Sequence, residues 1–262
     1  MAINTINNRL SYMKAVFSCA LKESRKERRI LHNPAAVVKK LSGGNERTYL
    51  LTPAKFERFY KFFCENEITV KIKSSVRILK PDVEFAKFYL ALWTTGRRPL
   101  EVSSYTWSML DIEEQGIDIP ATITKTEKND WIPVSDRLFA VLMETPVEER
   151  TGYLFKNSRG NPWYWMSDSG CLRNGCRVHM NRLKVKYPNA GWVRDNRGGF
   201  LTRNAERMDL ETLMACSGHV DVRSAMRYVK KRRGKMRELV NSDSPPPVTN
   251  QSQLSIVYRK SA

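Results

Sequence analysis

Apolar residues recur at helical steps along most of this sequence and give way to strand-like alternation in one clear place, which limits the chain to a mostly α fold. Over residues 5–23, Ile6, Leu10, Met13, Val16, Phe17, Ala20 and Leu21 repeat at steps of three and four, the spacing of a helix with one buried face. Asn33-Pro34 punctuates this element, and a short helical stretch is expected to reach Leu41. Thr52-Pro53 then offers an N-cap with proline at the first helical position, opening a segment that carries Phe56, Phe59, Tyr60 and Phe63 on one stripe. The next strong helix covers residues 82–94 and stops at Gly96. Between residues 116 and 134, Ile117, Ile119, Ile123, Trp131, Ile132 and Val134 flank the polar tip 125–130, the pattern of a hairpin. Helical patterns return at residues 136–144, 168–186, 197–207, 210–216 and 222–231. The expected class is mostly α with a small antiparallel β-sheet (α+β).

Ser42-Gly43-Gly44-Asn45 reads as a flexible joint, so residues 1–41 and 49–240 are expected to form two domains joined by a linker at 42–48. Residues 241–262 are polar and proline-broken, with a short apolar patch at Leu254, Ile256, Val257 and Tyr258, and are expected to form a tail. Lys and Arg number 45 against 27 Asp and Glu, a net charge of +18 that predicts attraction to a polyanion, with nucleic acid foremost and an acidic membrane surface as the alternative. No run approaches the roughly 18 uninterrupted apolar residues of a spanning helix. The N-terminus MAINTINNRL lacks a signal-peptide profile, so a cytoplasmic location is expected. Five cysteines, Cys19, Cys64, Cys171, Cys176 and Cys216, are odd in number and thinly spread, which fits buried thiols better than a disulfide framework. Cys171, Cys176 and His179 crowd together, but their spacing matches no usual zinc pattern, and one face of a helix is the plainer reading. Trp163, Tyr164 and Trp165 suit a core more readily than stacking on bases.

The segment Thr95-Gly96-Arg97-Arg98-Pro99-Leu100-Glu101 follows an apolar helix, and Ser217-Gly218-His219 precedes Tyr228 by an interval of nine from the histidine. These two boxes resemble the arginine box and the G-H box with its nucleophile in the tyrosine recombinases, the phage-integrase family. Arg98 takes the arginine position and Glu101 the acidic one. Arg197, in Arg197-Gly198-Gly199-Phe200, sits where the family's second arginine is expected, and the hairpin residue Lys125 resembles its lysine, with Lys128 as the fallback. One departure is plain: the second box is usually H-x-x-R, and here Arg194 replaces the histidine. A literal H-x-x-R at His179-Met180-Asn181-Arg182 lies too far from His219 and is taken as a chance match on a helix. The resemblance covers about residues 5–231, because the first helix and Asn33-Pro34 resemble the last part of the family's DNA-clamping domain. Only the end of that domain is expected here, either because the chain is truncated or because the clamp is minimal.

The residue types suit the chemistry independently of the family. A tyrosine oxygen can attack a phosphodiester and hold the phosphoryl group, conserving bond energy for rejoining, which is the role of Tyr228. Two guanidiniums, Arg98 and Arg197, stabilise charge building on the non-bridging oxygens. Lys125 is suited to protonate the departing sugar oxygen, and His219 to hydrogen-bond the phosphate. Arg194 can hydrogen-bond a phosphate oxygen but cannot exchange a proton near neutral pH. Taken singly, each has an ordinary reading: a solvated helix-end charge for Arg98, a core histidine for His219, a buried aromatic for Tyr228, plain phosphate contacts for Arg197 and Lys125. Their joint spacing carries the argument.

The resemblance implies a site-specific recombinase that cuts and rejoins double-stranded DNA through a 3′-phosphotyrosyl link. It implies no metal or nucleotide cofactor, a homotetramer on two duplexes, and a tail that docks on a neighbouring protomer. A role on a mobile element and an accessory directionality factor stay open. The rivals are a type IB topoisomerase, which relaxes supercoils as a monomer, and a DNA-binding protein that keeps the fold without activity.

Overall fold

The computed structural model describes residues 3–23, 32–43, 49–72, 75–124, 127–167, 172–205, 207–219 and 221–226. The chain divides into two compact units, Met1–Tyr49 and Leu50–Ala262. In the first, helix α1 (Ile3–Glu23) buries Leu10. Two asparagines clasp the returning segment to it. Asn7 Nδ2 donates to Leu41 O (2.9 Å) and Asn7 Oδ1 accepts from Leu41 N (2.8 Å), while Asn33 Nδ2 donates to Lys14 O (2.9 Å). The helical stretch expected up to Leu41 is instead a turn at residues 34–37, where Asn33 Oδ1 accepts from Ala35 N (2.9 Å) and Asn7 takes up both backbone groups of Leu41.

The second unit runs through α2 (Pro53–Glu65), β1 (Ile68–Ile72), β2 (Ser75–Leu79), α3 (Val83–Thr95), α4 (Pro99–Ser103), β3 (Leu110–Asp111), β4 (Gly116–Ile119), β5 (Asp130–Pro133) and α5 (Asp136–Met143). It continues with β6 (Tyr164–Met166), β7 (Leu172–Asn174), α6 (Arg177–Lys186), α7 (Asp195–Asn204), α8 (Leu210–Ser217) and α9 (Val222–Met226). The strands form three small antiparallel sheets, ordered β1-β2, β3-β4-β5 and β6-β7. In the middle sheet Ile117 faces Ile132 and Ile119 faces Asp130, as the hairpin pattern predicts.

Local chemistry sets the helix starts. Thr52 Oγ1 accepts from Lys55 N ahead of Pro53, Asp82 Oδ1 from Phe85 N (2.9 Å), and Asp209 Oδ1 from Thr212 N (2.8 Å). Helix α3 is buried on nearly every side and packs against α2, α5 and α7, making it the centre of the unit. Around it lies an aromatic core: Phe56 stacks on Trp93 at 4.6 Å, while Phe63 and Trp163 meet Phe85 edge-on at 4.8 and 5.0 Å. Each such ring contributes about 1.5–3 kcal/mol through burial.

Two further elements differ from expectation. The helix expected over residues 168–186 begins only at Arg177, and residues 172–174 form β7, paired with β6. Gly175 N–H donates to Trp163 O (2.8 Å) and Asn174 Oδ1 accepts from Cys176 N (3.0 Å), so cross-strand and turn bonds displace the helical ladder. The sheet content also exceeds the single expected hairpin, since β1 and β2 form another whose alternation of Val70, Ile72, Val76 and Ile78 was readable in the sequence. Trp163 is a core residue. Cys176 is buried just ahead of α6 and His179 lies on α6, whereas Cys171 lies outside the described residues. No helix among the described residues is long and apolar enough to cross a membrane.

Candidate active site

Helices α3 and α8 both end on a glycine in the left-handed region, Gly96 at φ 66° and Gly218 at φ 64°. A side chain there would be strained by the backbone alone, and it would also strike a neighbour: the Phe200 ring at Gly96, the Arg97 guanidinium at Gly218. Phe200 is on α7, and Gly199 beside it lets that helix close on Trp93 of α3. This close packing brings Arg197, one turn earlier, to both helix ends.

The last carbonyls of a helix lack intrahelical partners and carry partial negative charge, so guanidiniums bind them well. Arg197 Nη1 donates to Gly96 O (3.0 Å) and, in a very short contact, to Ser217 O. Arg98 Nη1 donates to Gly218 O (3.2 Å) and stands 3.9 Å from Glu101 Oε2. Arg97 Nε donates to Cys216 O (2.7 Å) and its Nη2 to Ala215 O (2.9 Å). Three arginines thus cap the final turn of α8.

His219 follows this cap. Its Nε2 lies 2.8 Å from Arg197 Nη2, and because guanidinium can only donate, Nε2 is an acceptor. Its Nδ1 lies 2.8 Å from Ser217 Oγ, whose own proton goes to Leu213 O (2.7 Å). The imidazole therefore carries its hydrogen on Nδ1 and is neutral. Burial, then the charges of Arg197 and Arg98, push its pKa down from 6.5 to about 4.

The structure thus brings Arg98, Arg197 and His219 together. Arg194 is exposed just ahead of α7 and stays outside this hydrogen-bonded cluster; its charge acts on the Tyr164 phenol instead. Lys125 and Tyr228 lie outside the described residues. The fallback Lys128 is exposed near the tip of the β4–β5 hairpin, where Thr124 Oγ1 donates to its carbonyl (2.8 Å).

Sequence reasoning passed over Arg97. It is 2% exposed, and its Nη1 meets both Glu101 Oε1 (3.1 Å) and Asp130 Oδ2 (2.7 Å). Burial opposes its charge, but Glu101 and Asp130 outweigh that and hold its pKa above the ordinary value. The only sequence signal was Glu101, spaced one helical turn from either arginine of the doublet. Chemically, two guanidiniums beside a neutral imidazole at two helix ends suit the binding of an anion, with the unprotonated nitrogen of the imidazole turned to Arg197.

No protein-family model and no curated protein matches the amino-acid sequence. Solved structures do match. The Tn1549 transposon integrase in complex with a circular intermediate DNA is 20% identical over 92% of this chain and 80% of its own, with a TM-score of 0.67. The XerH site-specific recombinase bound to palindromic difH substrate is 17% identical over 92% of this chain and 67% of its own, at 0.62. A lambda integrase dimer bound to a COC′ core site is 14% identical over 88% of this chain and 65% of its own, at 0.57. With a central α3, a small β3-β4-β5 sheet and α7 and α8 carrying the second and third boxes, the chain has the fold of the tyrosine recombinases and integrases.

Proposed function

We propose that the protein is a site-specific DNA recombinase that cuts and rejoins strands through a 3′-phosphotyrosyl intermediate. The observation that carries this reading is the convergence of Arg98, Arg197 and His219 on the facing ends of α3 and α8, although Arg98 stands far from the other two in the sequence. Arg98 and Arg197 clamp the scissile phosphate and stabilise the charge that grows in the transition state. Neutral His219 holds Arg197 through Nε2 and so aims the guanidinium; in this tautomer it orients the clamp and does not itself donate to the phosphate. Tyr228 loses its phenolic proton to solvent and attacks phosphorus, its bond to phosphorus forming as the bond to the 5′-oxygen breaks, and Lys125, or Lys128 in its place, gives that oxygen a proton. Arg194, one helical turn before Arg197, serves as an added phosphate contact. The net charge of +18 supports DNA as the partner through phosphate contacts and counterion release. A tetramer on two duplexes, docking of the tail on a neighbouring protomer, a DNA-associated cytoplasmic location and service to a mobile element accompany the reading.

The test is incubation with a nicked suicide substrate built from the DNA footprint recovered at moderate salt. A covalent protein–DNA adduct abolished by Tyr228→Phe supports the reading. Wild-type protein that binds this DNA and forms no adduct overturns it, and an adduct with supercoil relaxation but no strand exchange favours a topoisomerase.

A further inference from the structure

Arg97 is bonded through three of its edges, yet the mechanism above makes no use of it. Glu101, itself 5% exposed, already supplies the counter-charge that a buried guanidinium requires. Asp130 is a second carboxylate on the same nitrogen, with a side chain one-third exposed that water could solvate without help. The contact therefore adds a positional link to the charge compensation that Glu101 and Asp130 share. Asp130 is the first residue of β5, paired across the sheet with Ile119, and marks the base of the hairpin loop. Rigidity continues outward from it: Asn129 Oδ1 accepts from Ala121 N (2.9 Å), and Thr124 Oγ1 donates to Lys128 O (2.8 Å). On the opposite side, the same guanidinium holds the carbonyls of Ala215 and Cys216, directly ahead of the 217–219 turn.

We infer that Arg97 is a positioning residue that locks the base of the β4–β5 hairpin to the end of α8, so that the hairpin lysine and the Arg197–His219 pair meet one phosphate in fixed register. The inference rests on the recombinase reading and adds a device to it. A fork of N–H donors is needed because one group must hold two carbonyls and two carboxylates at once, which an ammonium cannot do in plane.

The experiment compares single-turnover cleavage by the full chain on two suicide substrates, one ordinary and one with sulfur replacing the 5′-bridging oxygen of the scissile phosphate. A thiolate leaves without being protonated, so the sulfur substrate does not need the hairpin lysine. Asp130→Asn is expected to cleave the ordinary DNA about 10-fold more slowly or worse. On the sulfur substrate it should come within about threefold of wild type. Asp130→Glu, which keeps a carboxylate for Arg97, should retain more of the rate on the ordinary DNA, and Asp130→Ser takes over the two-substrate comparison should thermal melting show the asparagine variant unfolded. Equal slowing on both substrates, or no slowing on either, overturns the inference. Wild-type protein that forms no adduct with either DNA overturns the recombinase reading and this inference together. A wild-type adduct abolished by Tyr228→Phe but indifferent to Asp130→Asn overturns this inference alone.

Discussion

His179 and His219 make an instructive pair. Each stands beside an arginine, and burial is the first cause that takes each pKa down to about 4. His179 belongs to the literal H-x-x-R motif, yet it stacks on Phe85 at 4.3 Å, meets Trp163 edge-on at 5.1 Å, and has a buried Nδ1 with no hydrogen-bond partner among the described residues. Its companion Arg182 is 3% exposed and spends its Nη2 on Asn66 O. His219 has both ring nitrogens engaged, and its companion Arg197 reaches two helix ends. The first pair is packing; the second gathers its polar atoms at two helix ends. A depressed histidine pKa beside an arginine therefore does not mark chemistry unless the polar atoms converge.

The sharpest way to break this contrast is to truncate the two arginines. Arg197→Ala is expected to slow single-turnover cleavage roughly 100- to 1,000-fold, about 3–4 kcal/mol of barrier, measured by adduct formation. Arg182→Ala should lower the melting temperature and leave the rate of the folded fraction unchanged; comparable rate losses would erase the distinction. Next, Gly96→Ala should cost about 2–4 kcal/mol of stability in a urea titration, from left-handed strain plus collision with Phe200. A cost near zero would mean that the α3–α7 contact does not fix Arg197. Smaller still, His219→Ala should reduce cleavage roughly 10- to 100-fold by releasing Arg197, while His179→Leu leaves cleavage intact.

The pH response separates the two histidines a last time. Each has a folded pKa near 4 against an unfolded 6.5, so the unfolded chain binds more protons between those values and stability falls as pH drops from 6.5 towards 4. His179→Leu should flatten the slope of stability between pH 6.5 and 5, above the range where most carboxylates titrate. An unchanged slope would show that the buried imidazole is not the group responsible.

Much of the fold was legible because caps and periodicity are local: Thr52-Pro53, Asp82 and Gly96 mark helix ends where the structure has them. The helix expected over 168–186 misled because its apolar spacing ignored Gly175 and Asn174, whose bonds are to a neighbouring strand and turn. Among candidate site residues, the resemblance of the boxes to the tyrosine recombinases singled out Arg98, Arg197 and His219, which converge, and Arg194, which stays exposed.

By itself the sequence determined the helix ends that carry a local cap, at Thr52, Asp82 and Gly96, since those choices depend on neighbours a few residues away. Only the tertiary structure decided that Arg97 turns inward to Ala215, Cys216 and Asp130 while Arg98 faces Gly218, and that His179 is core. The physical reason is that a side chain's direction at a helix end is chosen by whichever partners lie across the packed interface. Here the carbonyls that hold Arg97 and Arg98 come from more than a hundred residues downstream, and Asp130 from the hairpin in between.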